Sequence, residues 1–356
     1  MTDLLTLAPA AAEAVLVEWL ASHGEPPYRV RQILPRLWQR PVAAWADASD
    51  LPAALRTQLT AEFPLTRLTL AARQVSTDST EKFLWRLTDG DAIESVLIPE
   101  GKRRTLCISS QVGCALGCVF CATGRMGWRR NLTASEIAGQ VRELELHGYA
   151  QRPTNVVFMG MGEPLLNWEA VDTALTILNH VDGLGIGARH ITVSTVGILP
   201  SLARFAQRPE QFRLALSLHA PTAAARRDLM PIEKKYSLPD VIAALRQFRR
   251  RVTLEYVLIG ERNDSLEAAD ALADLAGPLA AHVNLLPLHP GGAPELQPSS
   301  HQRMLAFERR LRGHGVEVVL RRSRGLDISA ACGQLRVEVD GSPRRKVRAE
   351  QHAHVD

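Results

Sequence analysis

The chain has 356 residues, five cysteines and a nearly balanced charge of 42 basic against 38 acidic side chains. A chain of this length can bury a core without disulfide bonds, and no apolar stretch approaches the roughly 18 residues that a membrane-spanning helix needs. The first residues carry Asp3 and Glu13 instead of the basic start of a signal peptide. We therefore expect a cytoplasmic protein in a reducing compartment, where cysteines serve more often as ligands or nucleophiles than as disulfides.

The N-terminal residues have the pattern of helices and no pattern of strands. Ala11–Leu20 is rich in Ala and Leu, and Arg29–Trp38 has apolar residues at helical spacing. A polar stretch, Ser76–Glu81, follows. The sequence predicts a helical accessory domain over residues 1–75 and connecting strands over residues 76–103.

From residue 82 onwards, short β-rich runs appear, and stretches long enough for helices separate most of the later ones. Strands that alternate with helices indicate a parallel sheet. The pattern predicts an α/β fold with a partial (β/α)6 barrel, similar to a TIM barrel, over residues 104–320, and a C-terminal segment over residues 321–356. The predicted strands are Lys82–Leu87, Ile93–Pro99, Arg104–Ser109, Asn155–Gly160, His190–Val196, Phe212–His219, Val252–Ile259, His282–Leu288 and Val316–Leu320.

Four of the predicted strands end in polar or glycine-rich loops. These loops are Gly160–Pro164, Ser194–Thr195, Ser217–His219 and His289–Gly292. Functional groups of βα folds collect at the carboxyl ends of the strands, so we expect the four loops to surround one opening. The last of them lies in Pro287–Ser300, a long loop that is either a lid or a surface connection.

Three cysteines, Cys114, Cys118 and Cys121, lie within eight residues in a loop that also contains Gly113 and Gly117. A structural zinc site needs four ligands, and a fourth is missing nearby. An iron–sulfur cubane held by three cysteines leaves one iron open to a substrate. The residues favour this cluster over two alternatives, a zinc site completed by a distant His or Cys and buried cysteines without a metal.

The Cys-x₃-Cys-x₂-Cys spacing, with Phe120 before the last cysteine, resembles the signature of the radical S-adenosylmethionine (SAM) superfamily. The resemblance implies that Cys114, Cys118 and Cys121 hold a [4Fe–4S] cluster whose open iron binds SAM, which is cleaved there to a 5′-deoxyadenosyl radical. It further implies SAM contacts at the strand ends. His289 lies where relatives usually have an asparagine, and it is either a SAM contact or a surface loop residue. The implied contacts are Gly162, Glu163, Ser194, Ser217, Leu218, His219 and His289.

Two further cysteines, Cys107 in Leu106–Cys114 and Cys332 in Arg324–Leu335, narrow the resemblance. Both passages resemble the RlmN/Cfr family, radical-SAM enzymes that methylate adenosine in RNA, and the likeness runs from about residue 82 to 335. C2 of adenine is an electron-poor carbon and cannot attack the SAM methyl group directly. The family's solution implies that Cys332 takes a methyl group from one SAM and that a second SAM supplies the radical that activates it. The carbon then adds to the base, and Cys107 attacks Cys332 to form a disulfide and release the product.

Removal of the C2 proton requires a base. Glu94 matches a glutamate that the family is expected to use as proton acceptor, and a buried carboxylate would have its pKa raised toward a useful range. The alternative is a strand glutamate that faces water. The residues also leave open whether Glu94 or Cys107 is the immediate base.

Basic residues form clusters that either bind phosphates or are solvated faces, and those beside Cys114 and Cys332 are favoured for RNA. The resemblance implies 23S rRNA and some tRNAs as substrates, methylated at adenosine C2, together with an electron donor such as flavodoxin or ferredoxin and a monomeric state. Two rival interpretations are methylation of C8, as in Cfr, and a non-catalytic iron–sulfur protein that binds RNA. Trp128 either stacks on a base or packs. The clusters are Arg125 with Arg129 and Arg130, Arg246 with Arg249–Arg251, Arg321 with Arg322 and Arg324, and Arg344, Arg345, Lys346 and Arg348.

Overall fold

The computed structural model describes residues 2–148, 152–289, 293 and 295–335. One continuous hydrophobic core extends from Leu4 in the first turn to Leu335 at the end of the described chain. Within these residues, no helix is long and apolar enough to cross a membrane.

Along the described chain, α1 to α4 precede the sheet, and most of the later helices alternate with strands, as the sequence predicted. The helices are α1 (Pro9–Ser22), α2 (Val30–Ile33), α3 (Pro35–Trp38), α4 (Ala53–Glu62), α5 (Ala122–Met126), α6 (Ala134–Leu146), α7 (Trp168–Asn179), α8 (Leu199–Ala206), α9 (Ala223–Leu229), α10 (Leu238–Arg246), α11 (Leu266–Ala276) and α12 (His301–Gly313). The strands are β1 (Thr69–Val75), β2 (Glu81–Arg86), β3 (Ala92–Glu100), β4 (Arg103–Cys107), β5 (Gln111–Gly113), β6 (Trp128–Asn131), β7 (Asn155–Phe158), β8 (Ile191–Thr195), β9 (Arg213–Ser217), β10 (Val252–Leu258), β11 (His282–Pro287) and β12 (Glu317–Leu320).

Ten of these strands form one sheet in the order β1-β2-β3-β4-β7-β8-β9-β10-β11-β12. Neighbours from β4 onwards are parallel, whereas β1 to β4 pair antiparallel. In the described residues β1 and β12 lie at the two edges, so the barrel is open. The predicted α/β class with a partial parallel barrel is confirmed.

Two parts of the secondary structure differ from the prediction. Thr69–Val75 was expected in the helical segment but forms β1, which pairs antiparallel with β2. Most of its side chains are exposed, so it has no alternation of apolar and polar residues that a sequence pattern could detect. The hairpin of β5 and β6 was also missed, because strands of three and four residues are too short to show a period.

The N-terminal helices pack onto the barrel through α6. The buried guanidinium of Arg142 donates to the backbone carbonyls of Leu37 (2.9 Å) and Val42 (2.6 Å). Arg67 forms two hydrogen bonds of 2.7 Å with the buried carboxylate of Glu143. A buried guanidinium is costly unless it is paired, so the contacts of Arg142 show that this helical layer is built into the barrel wall.

The strand register shows which side chains share the inner face of the sheet. Cys107 is paired with Val96 on one side and with Val157 on the other. On the opposite face, the Trp85 ring contacts His147 at the end of α6, 5.9 Å between centroids, so that face packs against the helices. Side chains alternate along a strand, and the register therefore assigns the inner face to Glu94, Cys107, Ser194, Ser217, Glu255 and Asn284.

Candidate active site

The three-cysteine loop lies between β5 and α5. The Cys114 N–H donates to the Gly127 carbonyl (3.0 Å), and the Cys121 N–H donates to the Cys118 carbonyl (3.1 Å). Gly113 has φ +75°, and a Cβ there would lie 1.9 Å from the Gly127 carbonyl oxygen. The loop therefore requires glycine at this position to bring Cys114 against the following turn.

The three thiols lie close enough for their charges to interact. Burial and, to a smaller extent, a charge on Cys121 raise the pKa of Cys114 to about 12. Burial and charges on Cys114 and Cys121 raise the pKa of Cys118 well above its usual value. Buried thiols of this kind become thiolates when a bound metal replaces their protons, and soft sulfur donors suit an iron–sulfur cluster. Among the residues that the structure describes, no three His, Cys, Asp or Glu side chains are arranged to hold a single metal ion.

The loop after β7 is hydrogen-bonded along the segment that leads into the cysteine loop. The Gly160 N–H donates to the Ile108 carbonyl (3.0 Å), and the Glu163 N–H donates to the Gln111 side chain (2.8 Å). Gly162 has φ +98°, and a Cβ there would lie 2.5 Å from the Gln111 Cβ. These contacts bring the predicted SAM-binding residues Gly162 and Glu163 beside the three cysteines.

The Glu163 carboxylate holds this loop against the end of β8. It accepts hydrogen bonds from the backbone N–H groups of Leu165 and Val196, both 3.0 Å, and interacts with the Thr195 hydroxyl. Burial raises the pKa of Glu163 to about 7. The carboxylate thus anchors the loop, and direct contact of Glu163 with SAM stays a prediction.

Ser194, Ser217 and Leu218 lie at neighbouring strand ends, as predicted. The two serine hydroxyls are 3.1 Å apart, so they face the same space. The Leu218 side chain is fully buried, and its N–H donates to the backbone carbonyl of Glu255 (3.0 Å). The structure therefore brings these three residues together. Ser194 and Ser217 present hydroxyl groups to the same space, whereas Leu218 packs in the core.

His219 is held in one orientation beneath the cysteine loop. Its Nδ1 accepts a hydrogen bond from the Val257 N–H (3.1 Å), and its ring contacts the Phe120 ring edge-on at 4.7 Å between centroids. Burial and, to a smaller extent, the charge of Arg226 lower the pKa of His219 to about 3. The ring is therefore neutral, and its proton lies on Nε2.

His289 is half-buried at the end of β11. Its Nε2 forms a hydrogen bond with the Ser323 hydroxyl, and burial lowers the pKa of the ring. Ser323 belongs to the stretch that leads to Cys332. Residues 290–292 of the predicted loop lie outside the described residues, and contact of His289 with SAM stays a prediction.

Cys332 lies close enough to Cys107 and Cys121 for their charges to interact, although 225 positions separate Cys107 and Cys332 in the sequence. Burial raises the pKa of Cys107 to about 12, while the Met159 N–H acts in the opposite direction. Burial raises the pKa of Cys332, and charges on Cys107 and Cys121 raise it further. Cys332 is nevertheless exposed to solvent. Its thiol is thus surrounded by protein atoms and still open to solvent, and the space that it faces is here called the recess.

The segment of residues 325–335, here called the Cys332 segment, is fastened at one end to the turn between β1 and β2. The Asp327 carboxylate accepts hydrogen bonds from the Ser76 hydroxyl (2.5 Å) and the Thr77 N–H (3.1 Å). In return, the Gly325 N–H donates to the Asp78 carboxylate (3.0 Å). These reciprocal contacts form a clasp that fixes where the Cys332 segment begins.

The other end of the Cys332 segment is fastened to the cysteine loop. The Ala122 N–H, next to Cys121, donates to the Gly333 carbonyl (2.8 Å). The Thr123 hydroxyl donates to the Leu335 carbonyl (2.7 Å). Cys332 therefore lies between two anchors, one of which carries a predicted cluster ligand.

Known proteins resemble this chain over nearly its whole length. It is 57% identical over 355 residues, covering 100% of this chain and 98% of the relative, to a probable dual-specificity RNA methyltransferase RlmN of Gemmatimonas aurantiaca. It is 45% identical over 329 residues, 91% of this chain and 90% of the relative, to a protein of the same name from Geobacillus kaustophilus. The chain belongs to the RlmN family.

Two further comparisons agree with this assignment. Residues 108–276 match the Radical SAM superfamily. The crystal structure of a radical SAM methyltransferase from Sphaerobacter thermophilus superimposes with a TM-score of 0.88 at 44% identity, over 94% of this chain and 99% of that one. Membership of the superfamily implies a [4Fe–4S] cluster and SAM, which favours the cluster over the zinc alternative. Cys114, Cys118 and Cys121 would hold the cluster.

Glu94 of this RlmN-family chain lies on β3, inside the protein. Its side chain is buried, and its Oε1 lies 3.1 Å from the Lys82 Nζ on β2. Its backbone carbonyl accepts a hydrogen bond from the Ser109 hydroxyl (2.6 Å). The alternative of a glutamate that faces water is wrong, because the register turns Glu94 to the same inner face as Cys107.

Two inward-facing polar residues were missed in the sequence. Glu255 and Asn284 lie on adjacent strands, and the Asn284 amide donates to the Glu255 carboxylate (2.9 Å). Burial raises the pKa of Glu255 to about 7. A charge on Glu255 in turn raises the pKa of Cys332, so the two residues are near each other. The detectable signal was a single charged residue inside the apolar run Val252–Leu258.

The arginines beside the cysteine loop have acidic partners. Arg129 pairs with Asp91 (2.8 Å), and Arg125 pairs with Glu295. Arg130 bonds Asp89 (2.6 Å) and Glu136 (2.8 Å). These arginines are thus held by carboxylates, which reduces the positive charge that they offer to RNA. Trp128 lies half-buried in β6, and the predicted basic cluster of residues 344–348 lies outside the described residues.

Proposed function

We propose that this protein methylates C2 of an adenosine in 23S rRNA and of the adenosine 3′ of the anticodon in some tRNAs. The family name carried by its relatives supports a dual-specificity RNA methyltransferase. The observation that carries the mechanism is the position of Cys332, which is fastened to the cysteine loop and lies near Cys107.

The thiols of this chain are proposed to divide the reaction between them. When bound, SAM and the cluster supply first a methyl group and then a 5′-deoxyadenosyl radical, so two SAM molecules are consumed per methylation. The Cys332 thiolate accepts the methyl group and later presents it, after loss of one hydrogen atom, to C2 of the adenine. A carbon–carbon bond forms, and the adduct, being a radical, also gives up one electron, which the oxidised cluster held by Cys114, Cys118 and Cys121 would accept.

Release of the product needs a base and a second thiol. Glu94, or alternatively Cys107, takes the C2 proton. The Cys107 thiolate then attacks the Cys332 sulfur, so an S–S bond forms, the S–C bond breaks, and the released carbon gains a proton to become the methyl group. A reductant must restore both thiols before the next turnover.

We propose an external electron donor of the flavodoxin or ferredoxin class, a monomeric enzyme, and the N-terminal segment of residues 1–75, which contains α1 to α4, as an RNA-binding accessory domain. A cytoplasmic location fits the need for Cys107 and Cys332 to return to the reduced state after each turnover.

The test is to digest RNA from cells that lack or express this chain and to identify the methylated nucleosides by mass spectrometry. The proposal predicts 2-methyladenosine in 23S rRNA and in tRNA only when the chain is expressed. If 8-methyladenosine appears instead, the Cfr-like alternative is correct. If neither nucleoside depends on the chain, the proposed activity is wrong.

A further inference from the structure

Lys82 is a largely buried lysine on the inner face of the sheet, and the mechanism above does not use it. The side chains of Lys82 and Glu94 are 13% and 6% exposed, and the Nζ–Oε1 distance is 3.1 Å. The register of β2 and β3 pairs Lys82 with Val96, two residues from Glu94, so the two charged side chains are diagonal neighbours on one face. The close contact is therefore built into the strand pairing.

The pair lies in the row that leads to the reactive thiols. Val96 is also paired with Cys107 on β4, so Lys82, Glu94 and Cys107 share this face. Arg86, Glu100 and Arg103 lie on the same face of these strands but are exposed, so Lys82, Glu94 and Cys107 are its titratable groups inside the protein. The opposite face of the same strands is occupied by packing, with the Trp85 indole N–H donating to the Ser95 hydroxyl (2.8 Å).

Burial changes the proton affinity of the Glu94 carboxylate, and the nearby Lys82 amine opposes that change. An isolated buried carboxylate takes up a proton, because desolvation penalises its charged form. An amine within hydrogen-bonding distance favours the ionised carboxylate and fixes its direction. A protonated Glu94 could not accept the C2 proton, so the partner of Glu94 determines whether it can act as a base.

We propose that Lys82 is a positioning residue that keeps the Glu94 carboxylate ionised and directed toward the adenine C2 proton. The inference rests on the proposed function of Glu94 as proton acceptor. During the reaction, Glu94 takes the proton from C2 and becomes neutral, while Lys82 keeps its own proton. Glu94 must then pass its proton on before the pair can form again.

The experiment compares Lys82→Met, Lys82→Arg and Glu94→Gln in the full-length enzyme with its cluster, acting on an rRNA fragment. Methionine removes the charge but keeps an unbranched chain of similar length, whereas arginine keeps the charge. Three quantities are measured: the fraction of S-methylated Cys332 by mass spectrometry, the covalent protein–RNA adduct on denaturing gels, and the product release rate from pH 5 to 9.

We expect Lys82→Met to keep Cys332 S-methylation and to slow product release about tenfold or more at neutral pH, with accumulation of adduct. The acidic limb of its pH profile should move to higher pH, because the carboxylate then needs a higher pH to ionise. Lys82→Arg should restore most of the rate. Glu94→Gln should release product slowly at every pH.

The proposal is overturned if Lys82→Met lowers Cys332 S-methylation and product release equally. It is also overturned if the pH profile of product release does not shift, and Lys82 is then a structural residue. Normal release by Glu94→Gln overturns the role of Glu94, and with it that of Lys82, while RNA methylation itself stands. Absence of methylated adenosine with the unaltered chain refutes the proposed function instead.

Discussion

The cysteine loop and the Cys332 segment meet at the same recess but are positioned in different ways. The turn of the loop at Cys114 is shaped by near neighbours in sequence, through Gly113 and the hydrogen bond of Cys114 to Gly127. The Cys332 segment depends on residues far away, since Ser76 and Asp327 are separated by 251 positions and Thr123 and Leu335 by 212. The comparison teaches that the ligand motif is local, whereas the position of the methyl-carrying thiol depends on tertiary contacts.

The largest effect should follow a change in the cysteine loop. We expect Cys118→Ala to lose the cluster, because a buried ligand cannot be replaced from nearby, and methylation should fall by about a thousandfold or more. Iron content and the electron paramagnetic resonance signal of the reduced enzyme measure this loss. Retention of a normal cluster signal would show that the three cysteines are not its ligands.

A change in the clasp should separate the two regions. Asp327→Ala removes hydrogen bonds from Ser76 and Thr77 and should lower Cys332 S-methylation by about tenfold, because the segment is less often in place. Iron content and reductive SAM cleavage should stay unchanged. Asp274→Ala, at an exposed position on α11, is the matched control. Equal loss of iron in Asp327→Ala would contradict independent anchoring.

A smaller effect is expected at Glu255, on the wall that both regions face. Its pKa is raised to about 7 in the folded chain, so the folded state binds a proton that the unfolded state releases. Stability should therefore fall as pH rises from about 4.5 to 7, by up to about 3 kcal/mol. Glu255→Gln should remove this loss and be more stable than the unaltered chain at pH 8 but not at pH 4.

Thermal unfolding at several pH values tests this prediction, with Glu100→Gln at the exposed end of β3 as the control. Part of the pH dependence should remain in Glu255→Gln, because burial also raises the pKa of Glu163 to about 7. An unchanged slope in Glu255→Gln would mean that Glu255 stays ionised in the folded protein.

The sequence predicted the parts of the fold that depend on local pattern. The nine strands that it predicted from residue 82 onwards are present, because alternation and apolar runs mark them. It missed β1, whose side chains are mostly exposed and which is specified by pairing with β2. It also included Thr69–Val75 in the helical segment of residues 1–75 and thus misjudged where the sheet begins.

The parts of the candidate site that belong to a sequence motif could be predicted. The three-cysteine spacing and the strand-end loops led to residues that the structure brings together, such as Ser194 and Ser217. The partners of Glu94 and Cys332 could not be predicted, since Lys82 and Asp327 act through register and long-range contacts. Likewise, the arginines near Cys114 read as a basic patch because sequence does not show their acidic partners.

The central claim is that Cys332 carries the methyl group and Cys107 releases the product. Cys107→Ala tests it most directly, because the enzyme can then form the adduct but cannot break the bond between sulfur and carbon. The account predicts a covalent protein–RNA species whose RNA fragment maps to Cys332, with an intact cluster, and none in the Cys107→Ala, Cys332→Ala double variant. Release of methyladenosine by Cys107→Ala at the normal rate, without an adduct, would contradict it.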